Sequence, residues 1–211
     1  MGSENSVQSE ITEEQIRVER IADHHSEVLQ QLEIDESNAD EKELKAFLIE
    51  DALDQEKMEI SATYLWFFNP TNELLGYLTL LTDAIKIQGT SLRERFTDQG
   101  VNYKTLPAIK IGRLCVNRKY RKRGIGKKMI VFSMKKLLEI SEDVGCRFIV
   151  VDAKRGAAHF YKRLEFDILK EREKGVIYMY YDMYKIIRYF KETLKVNLLD
   201  LNKKEKKEET K

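Results

Sequence analysis

Residues 107–140 set the tightest constraint on what this chain can become. A strand-like run, "PAIKIGRLCV" (107–116), is followed by "NRKYRKRGIGKKM" (117–129) and then by an amphipathic stretch. Seven basic side chains crowd around Gly124 and Gly126. Like charges repel, so the segment is costly unless something negative belongs beside it. Strand, glycine turn and helix in that order form a phosphate cradle. Glycines let the backbone approach an anion, and the orphan N–H groups of the first helical turn point at it. The side chains of Arg121, Arg123, Lys127 and Lys128 would add charge-assisted contacts. Neither the Walker pattern nor the dinucleotide fingerprint occurs here.

The strand carries a second signal. Ile109 and Ile111 share one parity while Leu114 and Val116 share the other, so the alternation slips at Gly112, as it does at a β-bulge. After the glycines, Ile125, Met129, Ile130, Met134, Leu137 and Leu138 predict a helix over about 124–142. "CRFIVVDA" (146–153) is a continuous apolar strand of the kind covered on both faces. "GAAHFYKRL" (156–164) predicts a short helix, and "FDILKE" with "GVIYMYYDMYKI" a closing pair of strands. Upstream, "IRVERIAD" (16–23) is a weak strand and Ala39 to about Lys57 is helical, with Leu44, Phe47 and Leu48 on one stripe. "ATYLWFF" and "ELLGYLTLL" flank the turn formers "NPTN" and predict a hairpin. Residues 88–107 read as a long loop with room for a short helix.

A hydrophobic fraction of 42% over 211 residues suffices for one core, so a single domain is expected over 16–190. Residues 1–15 are expected to be flexible, and 191–211 to be a C-terminal helix and a charged tail. No run of eighteen apolar residues is present, and no membrane association is expected. Cys115 and Cys146 are too few for a disulfide framework and suit a reducing, cytoplasmic location. The near-zero net charge hides a division: residues 1–108 hold 9 Lys+Arg against 22 Asp+Glu, whereas residues 109–174 hold 19 against 8. The two parts therefore face different tasks or solvate different faces.

"RKRGIG" resembles the acyl-coenzyme-A loop [QR]-x-x-G-x-[GA] of the GNAT acetyltransferases, with Arg121, Gly124 and Gly126 at the three defined positions. The order "GRLCV", "RKRGIG", "CRFIVVDA", "AAHFYKRLEF" also matches that family. The resemblance implies an α/β fold: a central mixed, mostly antiparallel sheet with a bulged, splayed strand, flanked by helices on both faces. It implies acetyl-CoA as co-substrate, its pantetheine arm against Leu114, Cys115 and Val116. The pyrophosphate would lie on Arg121, Lys122, Arg123, Gly124, Ile125, Gly126 and Lys127. Tyr161 matches the tyrosine that donates a proton to the departing thiolate; by its position alone it reads as an inner-face aromatic. The sequence departs from the family at Lys154, where relatives have a cofactor-touching asparagine, and at Glu165, where they have glycine. A lysine at 154 could still meet a phosphate.

The implied reaction is attack of a neutral primary amine on a thioester. At pH ~7.4 about 0.1% of lysine side chains but about 20% of α-amino groups are neutral. The 109–116 strand offers no base, Asp152 reads as an ion-pair partner, and Glu50, Asp51, Asp54 and Glu56 read as solvating the first helix where they could also supply a base, so an acceptor of low pKa is expected. The acceptor could be a small molecule, a peptide or an aminoacyl-tRNA, since "GRLCVNRKYRKRGIGKKM" and "NADEKELKAFLIEDALDQ" also resemble the family's toxin branch, which acetylates aminoacyl-tRNA. No DNA partner is expected. A non-catalytic acyl-CoA-binding scaffold is the alternative outside enzymology. "KIIRYFKETLKVNLLDL" (185–201), with Ile187, Phe190 and Leu194 at helical spacing, is expected to pack against the chain's own core, the alternative being a docked partner or a second copy as a homodimer. His24, His25 and His159 lack further ligands at metal-binding spacing, so no metal site is expected.

Overall fold

The turn formers at 69–72 do join two antiparallel strands, β2 (Ala62–Phe68) and β3 (Glu73–Lys86), the second running past the expected Leu81. In the computed structural model, which describes residues 9–193, they belong to one sheet with β1 (Ile16–Arg20), β4 (Thr105–Val116), β5 (Phe148–Lys154), β6 (Asp167–Glu171) and β7 (Val176–Asp182). The order is β1-β2-β3-β4-β5-β7-β6, and only β4 and β5 pair in parallel. The mixed, mostly antiparallel sheet implied by the sequence is therefore present. The tail from Lys203 onward, Leu194 and residues 1–8 lie outside the described residues.

The helices are α1 (Ser26–Leu29), α2 (Ala39–Ala46), α3 (Ala52–Lys57), α4 (Ser91–Thr97), α5 (Ile125–Asp143), α6 (Arg155–Lys162) and a helical stretch over 184–193. Asn38 starts α2 by accepting from the N–H groups of Asp40 (3.0 Å) and Glu41 (3.4 Å). A π-helical turn at Phe47–Asp51 joins α2 to α3, so the expected 39–57 helix is continuous but widened in the middle. The long loop contains α4, and its last residues already belong to β4. The closing strand stops at Asp182, short of the expected Ile186. Met183 turns inward, fully buried, and its N–H reaches the carbonyl of Arg147 (3.0 Å) before the chain becomes helical.

Alternate residues of β4 feed different cores. Ile109 and Ile111 join a cluster with Met129, Ile130, Ile149 and Tyr161 under α5 and α6. Leu106 and Ala108 join Phe96, Phe148 and Tyr180 beside α4. Cys115 joins Phe47, Leu48, Phe67 and Tyr77 under α2. The switch occurs at the bulge: Ile111 faces Leu80 and Arg113 faces Thr79, so Gly112 is the surplus residue, as the sequence predicted. Ile11 is fully buried in the first cluster and its N–H approaches the carbonyl of Arg123 (3.4 Å), so part of the segment expected to be flexible is packed.

Gly76 holds β3 and β4 close at the end of the pair. Its φ is +147°, and a Cβ there would lie 2.2 Å from the carbonyl oxygen of Cys115. Gly76→Ala is expected to lower unfolding free energy by about 3 kcal/mol or more, from backbone strain plus overpacking. Urea denaturation checks this; a midpoint equal to that of the parent would show that the strands separate without cost.

Candidate active site

β4 and β5 pair over only four residues, Ala108–Ile111 with Phe148–Val151, and then diverge. The opening is lined by Asp40, Glu43 and Leu44 of α2, Gly112 to Leu114 of β4, Val151 to Lys154 of β5, and Ala157 and Tyr161 of α6. The N–H of Asn117 bonds to the carbonyl of Leu75 on β3 (2.9 Å). Alternation along a strand then turns the backbone groups of Leu114 and Val116 toward the gap. One of them is taken, since Val116 O accepts from Arg121 Nε (3.1 Å). An extended ligand with amides could pair with the rest as an added strand.

Asn117 fixes the exit from β4. Its buried Nδ2 donates to the carbonyls of Gln31 and Leu74 (2.9 Å each), and its Oδ1 accepts from the N–H of Lys119 (3.1 Å). The chain then turns through Lys122 (φ +61°) and Gly124 (φ +80°), the residue that precedes and caps α5. Ile125 anchors the helix in the core, and Gly126 lies against Phe160, whose Cζ would be 3.1 Å from a side-chain carbon there.

The basic side chains around this turn are less free than the sequence suggests. Arg121 makes a bidentate pair with Glu41 of α2 (3.0 and 2.7 Å), which holds the Glu41 carboxyl below its usual range despite burial. Arg123 donates to the carbonyl of Ser9 (3.0 Å) and lies over the rings of Tyr120 and Phe68. Lys128 pairs with Glu10 (2.8 Å), and Lys119 with Glu73. Lys154 lies 3.2 Å from both Asp40 and Glu43. Lys122 and Lys127 are exposed. The acidic first half of the chain therefore folds onto the basic loop. Sequence reading located the loop and missed Glu10, Glu41 and Glu73 as its partners, and Asp40 and Glu43 as those of Lys154; the opposed charge balance of the two halves was their only signal.

Leu114 and Val116 are partly buried on the α5 side, whereas Cys115 points to the opposite face and is buried. Burial pushes its thiol up to about 11, so it is protonated at neutral pH. Tyr161 is buried against Phe160 and Phe166 and lines the opening. Desolvation raises its hydroxyl well above the ordinary phenol range, so it stays protonated at neutral pH. Each lining carboxylate has a cation beside it: Asp40 and Glu43 share Lys154, and Asp152 lies 2.8 Å from Lys110 and 2.9 Å from Arg172, although its buried Oδ1 accepts no hydrogen bond.

Glu19, His24 and His25 come within metal-ligating distance of one another, a cluster the sequence spacing did not suggest. His25 Nδ1 accepts from the N–H of Ala22 (3.0 Å), so the proton of the neutral ring sits on Nε2, which bonds to Glu19 (2.9 Å). That nitrogen has no lone pair to offer a metal.

Residues 26–166 match the model of the acetyltransferase (GNAT) family. No curated protein matches the chain. Three similar solved structures share 22 to 25% identity with it. AtaT complexed with acetyl-methionyl-tRNAfMet is 23% identical, with a TM-score of 0.68 over 83% of this chain and 99% of that one. A tyrosine-to-phenylalanine mutant of the AtaT toxin, bound to the C-terminus of the antitoxin AtaR and acetyl-CoA, gives 22% and 0.64 over 83% and 98%. The KacTA–DNA complex gives 25% and 0.60 over 84% and 99%.

Glu165, which ends the α6 segment, has φ +64°, in the left-handed region that glycine adopts without steric cost. Its N–H reaches Lys162 O (3.0 Å), and the N–H of Phe166 reaches Tyr161 O (3.1 Å), the wrap of a helix C-terminus. Glu165→Gly is expected to stabilise the fold by about 1 kcal/mol, the left-handed cost of a residue with a Cβ. Thermal melting checks it, and a lowered midpoint would show that the glutamate side chain contributes more than its backbone strain.

Proposed function

The chain belongs to the acetyltransferase (GNAT) family, and from that membership we propose that it moves an acetyl group from acetyl-CoA to the α-amine of an aminoacyl-tRNA. The observation that carries the choice of acceptor is the chemistry of the opening between β4 and β5. It holds a protonated acid, Tyr161, and its carboxylates are all engaged by cations. A site whose carboxylates each sit against a cation suits an amine that has a sizeable neutral fraction at physiological pH, as an α-amine has and a lysine side chain has not. The likeness to AtaT, complexed with acetyl-methionyl-tRNAfMet, supports the same acceptor.

In this reading acetyl-CoA supplies the thioester that the amine attacks. The gap-facing backbone groups of Leu114 and Val116 hold its pantetheine arm, and an N–H of this strand stabilises the oxyanion. The turn from Arg121 to Lys127 takes the pyrophosphate on its N–H groups, with Lys122 and Lys127 adding charge. Phosphates compete with Glu41 and Glu10 for Arg121 and Lys128, so these pairs open or remain as scaffolding when the ligand enters. Tyr161 donates its proton to the sulfur as the C–S bond breaks. The attacking amine loses its surplus proton to water, and the tyrosinate recovers one from solvent. The two unpaired thiols suit a reducing cytoplasm. Among the described residues no helix is long and apolar enough to cross a membrane.

Release of coenzyme A by purified protein, with aminoacyl-tRNAs, N-terminal peptides, lysine peptides and polyamines as acceptors, tests the proposal. Tyr161→Phe is expected to lower kcat by about 10²–10⁴-fold, the usual contribution of a general acid, with the KM for acetyl-CoA little changed. Aminoacyl-tRNA is expected to be the best acceptor. Better turnover of lysine side chains would remove the acceptor assignment, and turnover unaffected by Tyr161→Phe would remove the acid.

A further inference from the structure

The bulge at Gly112 does more than split the sheet. Without the surplus residue, position 113 would follow Ile111 onto the α5 side; with it, Arg113 faces the opposite way, toward Phe47. Tyr161 packs in the cluster under α5 and α6, so Arg113 and Tyr161 reach the same opening from opposite faces of the sheet.

Arg113 is held firmly and left without a counter-charge. Its Nη1 donates to the carbonyl of Gly112 (2.9 Å), and its guanidinium carbon lies 4.9 Å from the centre of the Phe47 ring. Phe47 is stacked on Tyr77, whose hydroxyl donates to the carbonyl of Leu44 (2.7 Å), so the platform under the arginine is itself fixed. Its Nε is buried and meets no acceptor, and no carboxylate among the described residues pairs with it. The neighbouring cations each have one: Lys110 and Arg172 share Asp152, Arg121 has Glu41, and Lys154 has Asp40 and Glu43. A half-buried guanidinium without a partner is costly and is relieved by an incoming anion.

Resting on the aminoacyl-tRNA reading, we propose that Arg113 receives the phosphodiester adjoining the aminoacylated 3′ end and so selects nucleic-acid-borne amines. The cofactor's own phosphates are assigned to the turn from Arg121 to Lys127, beyond the far end of β4, whereas Arg113 sits at the bulge beside the thioester position. An anion at the bulge therefore comes in with the acceptor. A peptide N-terminus carries none close to its amine. An aminoacylated 3′ end does, one ribose away, and a planar fork stacked on an aromatic ring suits a phosphate.

Steady-state acetylation of aminoacyl-tRNA and of the matching aminoacyl-adenosine, which lacks the phosphodiester, is measured for the parent, Arg113→Gln and Arg113→Lys. Arg113→Gln is expected to raise KM for aminoacyl-tRNA about tenfold or more, as for loss of a charge-assisted hydrogen bond, with the KM for acetyl-CoA unmoved. The slope of log KM against log salt is expected to fall by about 0.7, one single-strand phosphate contact, and Arg113→Lys is expected to restore it. Aminoacyl-adenosine is expected to respond equally to all three proteins. Equal losses on both acceptors would assign Arg113 a structural role under Phe47, and a raised KM for acetyl-CoA would assign it to the cofactor; either overturns the proposal. A parent protein that acetylates other amines but not aminoacyl-tRNA overturns the acceptor reading itself, an outcome visible before any variant is compared.

Discussion

One surplus residue in a β-ladder organises this molecule. Gly112 has no partner on β3, so β4 changes face there while keeping its pairing with β3 to Val116. On the other side β4 leaves β5 after Ile111. A strand held along one edge and released along the other exposes backbone donors and acceptors inside a folded protein, where they would ordinarily be paired. The cleft, its lining and the opposite orientations of Arg113 and Leu114 all follow from that local mismatch. A regular strand would have closed the gap and buried an arginine among the apolar residues under α5.

Electrostatics closes what the bulge opens. α2 brings Asp40, Glu41 and Glu43 across the opening to Lys154 on one lip and Arg121 on the other. The Arg121–Glu41 pair is bidentate and partly shielded, with side-chain exposures of 33% and 18%, so it is screened less than a surface pair. The pairs of Lys154 are about half exposed and contribute less. The repulsion within residues 117–129 is thus offset by the protein itself, by carboxylates far away in sequence.

Features governed by nearest neighbours were legible in the sequence. The parity slip at Gly112, the apolar stripe of α5 and the turn at 69–72 each follow from a few adjacent residues and appear where expected. The family pattern at Arg121, Gly124 and Gly126 located the loop because glycine backbone requirements are local. What escaped was set by tertiary contact. Nothing near Arg121 indicates that Glu41 will reach it, and Arg113 looked like any other cation until the partners of its neighbours were known. The end of β7 was misplaced because Met183 and Tyr184 continue an apolar, aromatic run, and only burial of Met183 against the start of β5 stops the strand. Ile11 was read with a polar N-terminus although it fills a hole in the main core.

The position of β7 has a consequence for biosynthesis. It lies between β5 and β6, so the edge of β5 stays open until Asp182 has been made. Until then the ladder pairing of β5, the strand that carries Asp152 and Lys154, is limited to the four-residue parallel contact with β4. The turn from Arg121 to Lys127 is made before the strand that completes the sheet beside Tyr161. A nascent chain that ends before Asp182 therefore keeps an uncovered edge beside the opening, and the last strand made is the one that covers it.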